Sequence, residues 1–436
     1  MVVCVAVDLK CYTFRVFLMK LRHGLVLAGL LLFLGTSLVI ADSVDSGSDF
    51  GGPNAVKNQI KSDREQSLLG RGIQLGENWD AWKVGLQKDH GFGLGGDYTG
   101  AYLNASETMP GGRDSTGGGI FRMFGAWDLV GRDSGNTGSL VWKFEHRHGY
   151  ANPAPAPLWA VTEIGYLGLI NPIFNDSGFR TQNLFWRQRF SEGRFSMIAG
   201  FIDVTDFLDL YGMISPWLHF TNFAFSTGSA TIDLPNDSGL GIGFGAMLTK
   251  QIYLLMSLQD ANGDPEHVFD SVGTFFNDNE FFKSVELGWT SSQDRIYVDN
   301  YHVTVWHKDK REEAGKPSGW GVNVSLARFV NDTWMPFLRG GWSDDGDALL
   351  EKSLSGGLGY RLRNDKDLIG VGLNWGKPNP NQGAGNDAQY AAEVFYRLLV
   401  GKRLNLTADL QYIKDPAINP TESTIWVLGM RGRLAF

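Results

Sequence analysis

The 436-residue chain carries 47 acidic against 39 basic residues, a net charge of −8, and holds 56 glycines with 28 Phe, 14 Trp and 13 Tyr. An acidic chain is a poor nucleic-acid binder, since that partner wants a basic footprint. Glycine together with aromatics favours strands and turns over helices.

The chain opens on a removable segment. From Met19, a short basic start (Lys20, Arg22), an apolar stretch from Leu25 to Leu34 and a Val39-Ile40-Ala41 exit predict a signal peptide over residues 1–41, with Met19 as an alternative start. The apolar run is short for a membrane anchor, which takes about 20 residues. Residues 1–41 hold both cysteines, Cys4 and Cys11, and a net charge of +3, so the remainder carries −11. That remainder has no disulfide framework, thiolate metal site or cysteine nucleophile. No later stretch approaches 18 continuous apolar residues, which excludes a helical membrane protein.

Residues 42–75 are polar and Gly/Ser/Asp-rich and read as a mobile periplasmic lead-in. WDAWKVGLQKDHG (79–91) puts Trp79, Trp82 and Leu86 on one face, a short amphipathic helix stopped by Gly91. We therefore divide the chain into residues 1–41, a lead-in with a helix over 42–90, and one domain over 91–436.

From residue 91 the apolar period becomes two. Phe121, Met123, Trp127 and Leu129 alternate with Arg122 and Asp128, and Leu140, Trp142 and Phe144 with Lys143, Glu145 and Arg147. Leu184, Trp186 and Phe190 alternate with Arg187 and Arg189; Val394, Tyr396 and Leu398 with Glu393 and Arg397. Leu406 and Leu410 alternate with Thr407 and Asp409, and in TIWVLGMRGRLAF (424–436) Trp426, Leu428, Met430 and Leu434 alternate with Arg431 and Arg433. Turn clusters such as NDSG (175–178) and SDDGD (343–347) separate the segments. GLGIGFG (239–245) lacks the helix and Lys-Ser/Thr of a phosphate loop and reads as one more strand.

Alternate residues of a strand face opposite sides, so these segments have one greasy and one polar or cationic face. Ten steps from Trp426 to Phe436, at about 3.3 Å each and tilted by about 40°, rise roughly 25 Å, the apolar band of an outer-membrane barrel with an aromatic at each rim. Lipid cannot satisfy an open sheet edge, so the sheet must close. The predicted fold is all-β, a transmembrane antiparallel barrel; at roughly 22 residues per strand and connection it has about 16 strands, enough for an open lumen.

The ending TADLQYIKDPAINPTESTIWVLGMRGRLAF (407–436) resembles that of the carbohydrate-selective porin (OprB) family. WDAWKVGLQKDHGFGLGGDYTG (79–100) resembles that family's N-terminal helix and first strand, and FSMIAGFIDVTDFLD (195–209) its strand-plus-Asp segment. Lys83 and Phe201 depart from the family pattern, where arginine and a basic residue are usual. The resemblance implies passive uptake of sugars across a Gram-negative outer membrane, with no cofactor and no catalysis.

A sugar-admitting pore needs forked hydrogen-bonders, opposed carboxylates and an aromatic, all holding solute weakly. The lumen parity supplies Arg122, Lys143, Glu145, Arg147, Arg187, Arg189, Glu393, Arg397, Asp409, Arg431 and Arg433, with Trp306 as the aromatic if Val303 and Val305 face lipid. The run Lys143-x-Glu145-x-Arg147 also reads as a self-paired ladder. DANGD (260–264) lacks the glutamate that closes a calcium loop, and His146 and His148 have no third metal ligand nearby in sequence. Expected partners are small sugars, outer-membrane lipid and lipopolysaccharide, and barrel-assembly machinery reading Phe436. Monomer and trimer both stay open. The alternatives are a general or ion-selective porin, a barrel hydrolase, or an adhesive barrel plugged by residues 42–78.

Overall fold

A computed structural model describes residues 50–69, 77–150, 158–235, 238–362, 367–385 and 387–436. The expected signal peptide lies outside them. Two helices, α1 (Val56–Leu69) and α2 (Glu77–His90), precede sixteen strands. These are β1 (Phe92–Ala105), β2 (Ser115–Val130), β3 (Gly138–Gly149), β4 (Gly178–Phe190), β5 (Phe195–Asp203), β6 (Ser238–Met247), β7 (Ile252–Asp260) and β8 (Phe281–Thr290). There follow β9 (Asn300–Lys308), β10 (Gly319–Ala327), β11 (Trp334–Asp345), β12 (Leu350–Leu362), β13 (Asp367–Pro378), β14 (Gln389–Val400), β15 (Leu404–Lys414) and β16 (Thr424–Ala435).

Each strand pairs antiparallel with its neighbours in sequence, and β1 pairs with β16 to close the barrel. Closure leaves no edge to satisfy. Connections after even-numbered strands are short, such as 191–194 and 401–403, whereas longer ones, at 106–114, 204–235 and 261–280, follow odd-numbered strands.

The alternation read from sequence sorts the two faces. On β16, Leu428 and Met430 are 59% and 68% exposed, while Arg431 and Arg433 are buried inward. Outward arginine at the bilayer midplane would cost about 2–4 kcal/mol. Paired rings mark the rims: Tyr412 with Trp426 at 4.8 Å, Trp334 with Tyr360 at 4.3 Å and Trp289 with Tyr301 at 5.2 Å. Phe436 continues the β16 ladder, its N–H donating to the Gly96 carbonyl at 2.9 Å.

Helix α2 ends as its sequence predicts. Gly91 adopts φ +70° and donates to the Gln87 carbonyl at 3.0 Å, a left-handed stop that side chains disfavour. Helix α1 is a difference from the expected mobile lead-in. In VKNQIKSDREQSLL the apolar contact with the wall is confined to Val56 and Ile60, one turn, too short to stand out as a helical stripe. Val56 packs with Phe124, Val141 and Phe185, Lys57 pairs with Asp128 at 2.8 Å, and Asp63 takes both terminal nitrogens of Arg433 at 2.7 and 2.8 Å.

Residues 204–235, between β5 and β6, turn into the lumen. Their Tyr211, Met213, Phe220 and Phe225 pack on Met335, Phe337 and Phe395 of the wall. On this side the lumen is filled with apolar side chains. Glycines make the seats: a Cβ on Gly372 would meet the Phe225 ring at 2.8 Å, and one on Gly341 would meet Thr231 Oγ1 at 1.9 Å.

Candidate pore lining and constriction

Every charged residue taken from the lumen parity points inward, but few stand bare. On β2, Arg122 grips Asp97 through Nε at 2.9 Å and Nη2 at 2.5 Å. Its guanidinium also lies 3.6 Å from the ring centre of Trp217 on the inward segment. Arg433 reaches the same Asp97 from β16 at 2.7 Å, so one buried carboxylate binds two guanidiniums.

The Lys143-x-Glu145-x-Arg147 run is a ladder only in its upper half. Arg147 donates to Glu145 at 2.9 Å, whereas Lys143 donates to Asp206 of the inward segment at 2.5 Å. Asn183 holds that same Asp206 oxygen at 2.8 Å. On β4, Arg187 donates to Ser139 at 3.0 Å, and Arg189 folds against Gly193 of the short turn.

Across the lumen, wall side chains fasten the inward segment through its own backbone. Glu393 accepts from the N–H of Thr221 at 2.6 Å and of Asn222 at 2.9 Å. Asp409 accepts from Gln411 at 2.9 Å beside it. Arg431 donates to the carbonyls of Pro216 at 2.6 Å and His219 at 2.7 Å. Arg397 meets the His219 ring at 3.2 Å. These residues hold the inward segment against the wall.

Trp306 faces inward as its phasing predicts, yet its ring is enclosed by Val204, Leu208, Ile232 and Phe282. It therefore offers no open face to a solute. Trp217, Phe220 and Phe223 of the inward segment instead line the open space.

That space is a cavity of about 640 Å³. Its wall is Lys143, Glu145 and Arg147 of β3 with Arg180 of β4; its far side is Trp217, Phe220, Thr221 and Asn222. Asn54, from the segment leading into α1, and Asp206 border it as well.

One buried polar centre escaped the sequence reading. Asp209 is buried where Arg339 ion-pairs with it, with His302 Nε2 at 2.9 Å, and its N–H donates to Glu286 at 2.8 Å. Arg339 further donates to the Ser226 carbonyl at 2.8 Å. The signal present was the Asp203, Asp206 and Asp209 triplet in FIDVTDFLD, three carboxylates just past a strand. Among the described residues, no group of three potential ligands is placed to hold a metal ion, and DANGD and the His146/His148 pair contribute none.

A closed sixteen-stranded barrel with a loop folded into its lumen is the fold of the bacterial porins. Residues 290–436, from the end of β8 through β16, match the model of the carbohydrate-selective porin, OprB family. The resemblance seen at 407–436 thus extends back across half of the barrel. No curated protein matches the chain. In shape it is similar to the high-pH structure of Pseudomonas putida OprB, with a TM-score of 0.63 and 14% identity over 82% of this chain and 97% of that one. The low-pH structure of the same protein gives 0.51 and 13% over 84% and 99%. The outer membrane channel DcaP of Acinetobacter baumannii gives 0.50 and 10% over 79% and 97%. At such identities the likeness is one of fold.

Proposed function

We propose that the chain is an outer-membrane porin through which mono- and small oligosaccharides diffuse passively. The cavity of about 640 Å³ carries this reading. It sets forked cations (Arg147, Arg180) and carboxylates (Glu145, Asp206) opposite the rings of Trp217 and Phe220. Sugar hydroxyls exchange hydrogen bonds with the first two sets, and sugar C–H faces lie against the third. Most of the charges already have partners on the protein, so a solute competes for them and is held weakly, as a conducting site requires. The family match over 290–436 and the fold shared with Pseudomonas putida OprB support the sugar assignment. We assign the chain no catalysis. The exposed apolar band suits an outer-membrane location, and Phe436 at the end of the ladder suits recognition by assembly machinery.

Liposome swelling with sugars of graded size tests this directly. Glucose and a disaccharide should enter faster than larger oligosaccharides, and either should reduce single-channel current at millimolar concentration. Current indifferent to both sugars would leave a general or ion-selective porin.

A further inference from the structure

Residues 261–280, one of the longer connections, carry a third helix, α3 (Asp270–Asn277). At helical spacing Val268, Phe269, Val272, Phe275 and Phe276 fall on one side of it, and Asp270, Thr274 and Asn277 on the other. An amphipathic helix on a water-facing surface turns its apolar side to the protein and its polar side out. Here the apolar side is the bare one. Phe269 is 88% exposed, Phe276 67% and Val272 47%, whereas Ser271 is buried. Polar contacts hold the helix in this orientation. Ser271 Oγ accepts from the Asp264 N–H at 3.1 Å, and the Thr274 hydroxyl donates to the Asp260 carboxylate.

Two contacts fix where α3 rests on the barrel. Asp260 at the end of β7 and Phe281 at the start of β8 stand opposite each other in the ladder. By strand parity both share the outward face of Met256, Val285 and Leu287, which are exposed. Thr274 reaches Asp260, and the ring of Phe275 packs edge-on against Phe281 with centres 5.0 Å apart. Phe276 packs on Phe275 in turn, also at 5.0 Å. The helix therefore lies on the outer flank of the sheet, and its bare side prolongs the outward apolar band.

We propose that α3 is an interfacial anchor, with Phe269, Val272 and Phe276 seated among the acyl chains of the lipid leaflet around this end of the barrel. A contiguous exposed apolar face marks an interaction surface, and continuity with the lipid-facing band makes lipid the occupant. The contact is with acyl chains and not with phosphate headgroups, because residues 266–280 hold no Lys or Arg and four carboxylates, Glu266, Asp270, Asp278 and Glu280. A helix in the interface plane sinks only its apolar face, by about 5–10 Å, and leaves such charges in the polar layer. The same connection lends Asp264, Pro265 and Glu266 to the edge of the cavity, so anchoring α3 steadies that edge. The inference rests on the outer-membrane reading and adds to it a lipid contact outside the strands.

The test is spin-label accessibility of the full chain in phosphatidylcholine vesicles, with Cys4→Ser and Cys11→Ser as background. A nitroxide is attached at Phe276→Cys or, separately, at Phe269→Cys, two exposed positions where little packing is lost. Collision with oxygen, which concentrates in lipid, should exceed collision with a water-soluble nickel chelate severalfold at both. The ratio should invert at Asn277→Cys on the polar side. A ratio favouring the chelate at 269 and 276 would overturn the proposal. So would spin–spin broadening between copies at these positions, which would make a second chain the occupant. A label at Leu428→Cys, outward on β16, separates the two readings. Lipid exposure at 428 but not at 276 defeats this inference alone, and water exposure at both defeats the membrane reading beneath it.

Discussion

The inner faces of β3 and of β11–β14 obey one alternation and end in opposite surroundings. On β3 the inward positions are Lys143, Glu145 and Arg147, which border the open cavity. On β11–β14 they include Phe337, Gly341, Gly372 and Phe395, and the inward segment presses its own apolar side chains onto them. An inward position is therefore not a wet one. Which it becomes depends on where the 32 residues of 204–235 settle, and they settle where glycines leave room and rings offer apolar surface.

If that division is real, the dry side can be broken hardest at its polar rivet. Arg339→Ala leaves Asp209 buried beside His302 and removes the bond to the Ser226 carbonyl. We expect a loss of about 3–5 kcal/mol in denaturant unfolding in detergent, as for breaking a buried pair, together with raised single-channel conductance as the segment loosens. Unaltered stability would mean that the segment does not depend on this contact. A smaller effect should follow from filling a seat. Gly341→Val must displace Thr231 and Asn323, which sit 1.9 and 2.2 Å from the added Cβ, at a cost of about 1–3 kcal/mol. The wet side should answer differently. Arg147→Gln removes one positive charge from the cavity wall and leaves an amide donor beside Glu145, its buried ion-pair partner. The reversal potential should move towards cation preference with a smaller loss in unfolding than at Arg339, and a fixed reversal potential would remove Arg147 from the ion path.

The sequence was most readable where a single solvent boundary dictated it. The last strand could be phased from Trp426, Leu428 and Met430 against Arg431 and Arg433, because lipid penalises charge on one face over the whole band. The final Phe and the Gly91 stop were legible for equally local reasons. The site was legible by parity alone: all eleven charged candidates turn inward, but their partners do not follow from spacing. Asp97 joins Arg122 and Arg433 across the barrel seam, 25 and 336 residues apart in the chain. Lys143 leaves its neighbour Glu145 for Asp206, 63 residues away. Trp306 kept its predicted direction but is enclosed by residues of a loop whose path nothing local encodes. Helix α1 was missed for the converse reason, since its apolar contact is one turn long, Val56 and Ile60, and its other anchors are ion pairs to distant residues.

By itself the sequence determined which side chains meet hydrocarbon and which turn from it, because the period of two is a property of each strand and lipid enforces it residue by residue. Only the tertiary structure decided which inward groups meet water, an internal loop or one another. Those contacts join segments tens to hundreds of residues apart, and they form only once the sheet has closed and given the loop a surface on which to rest.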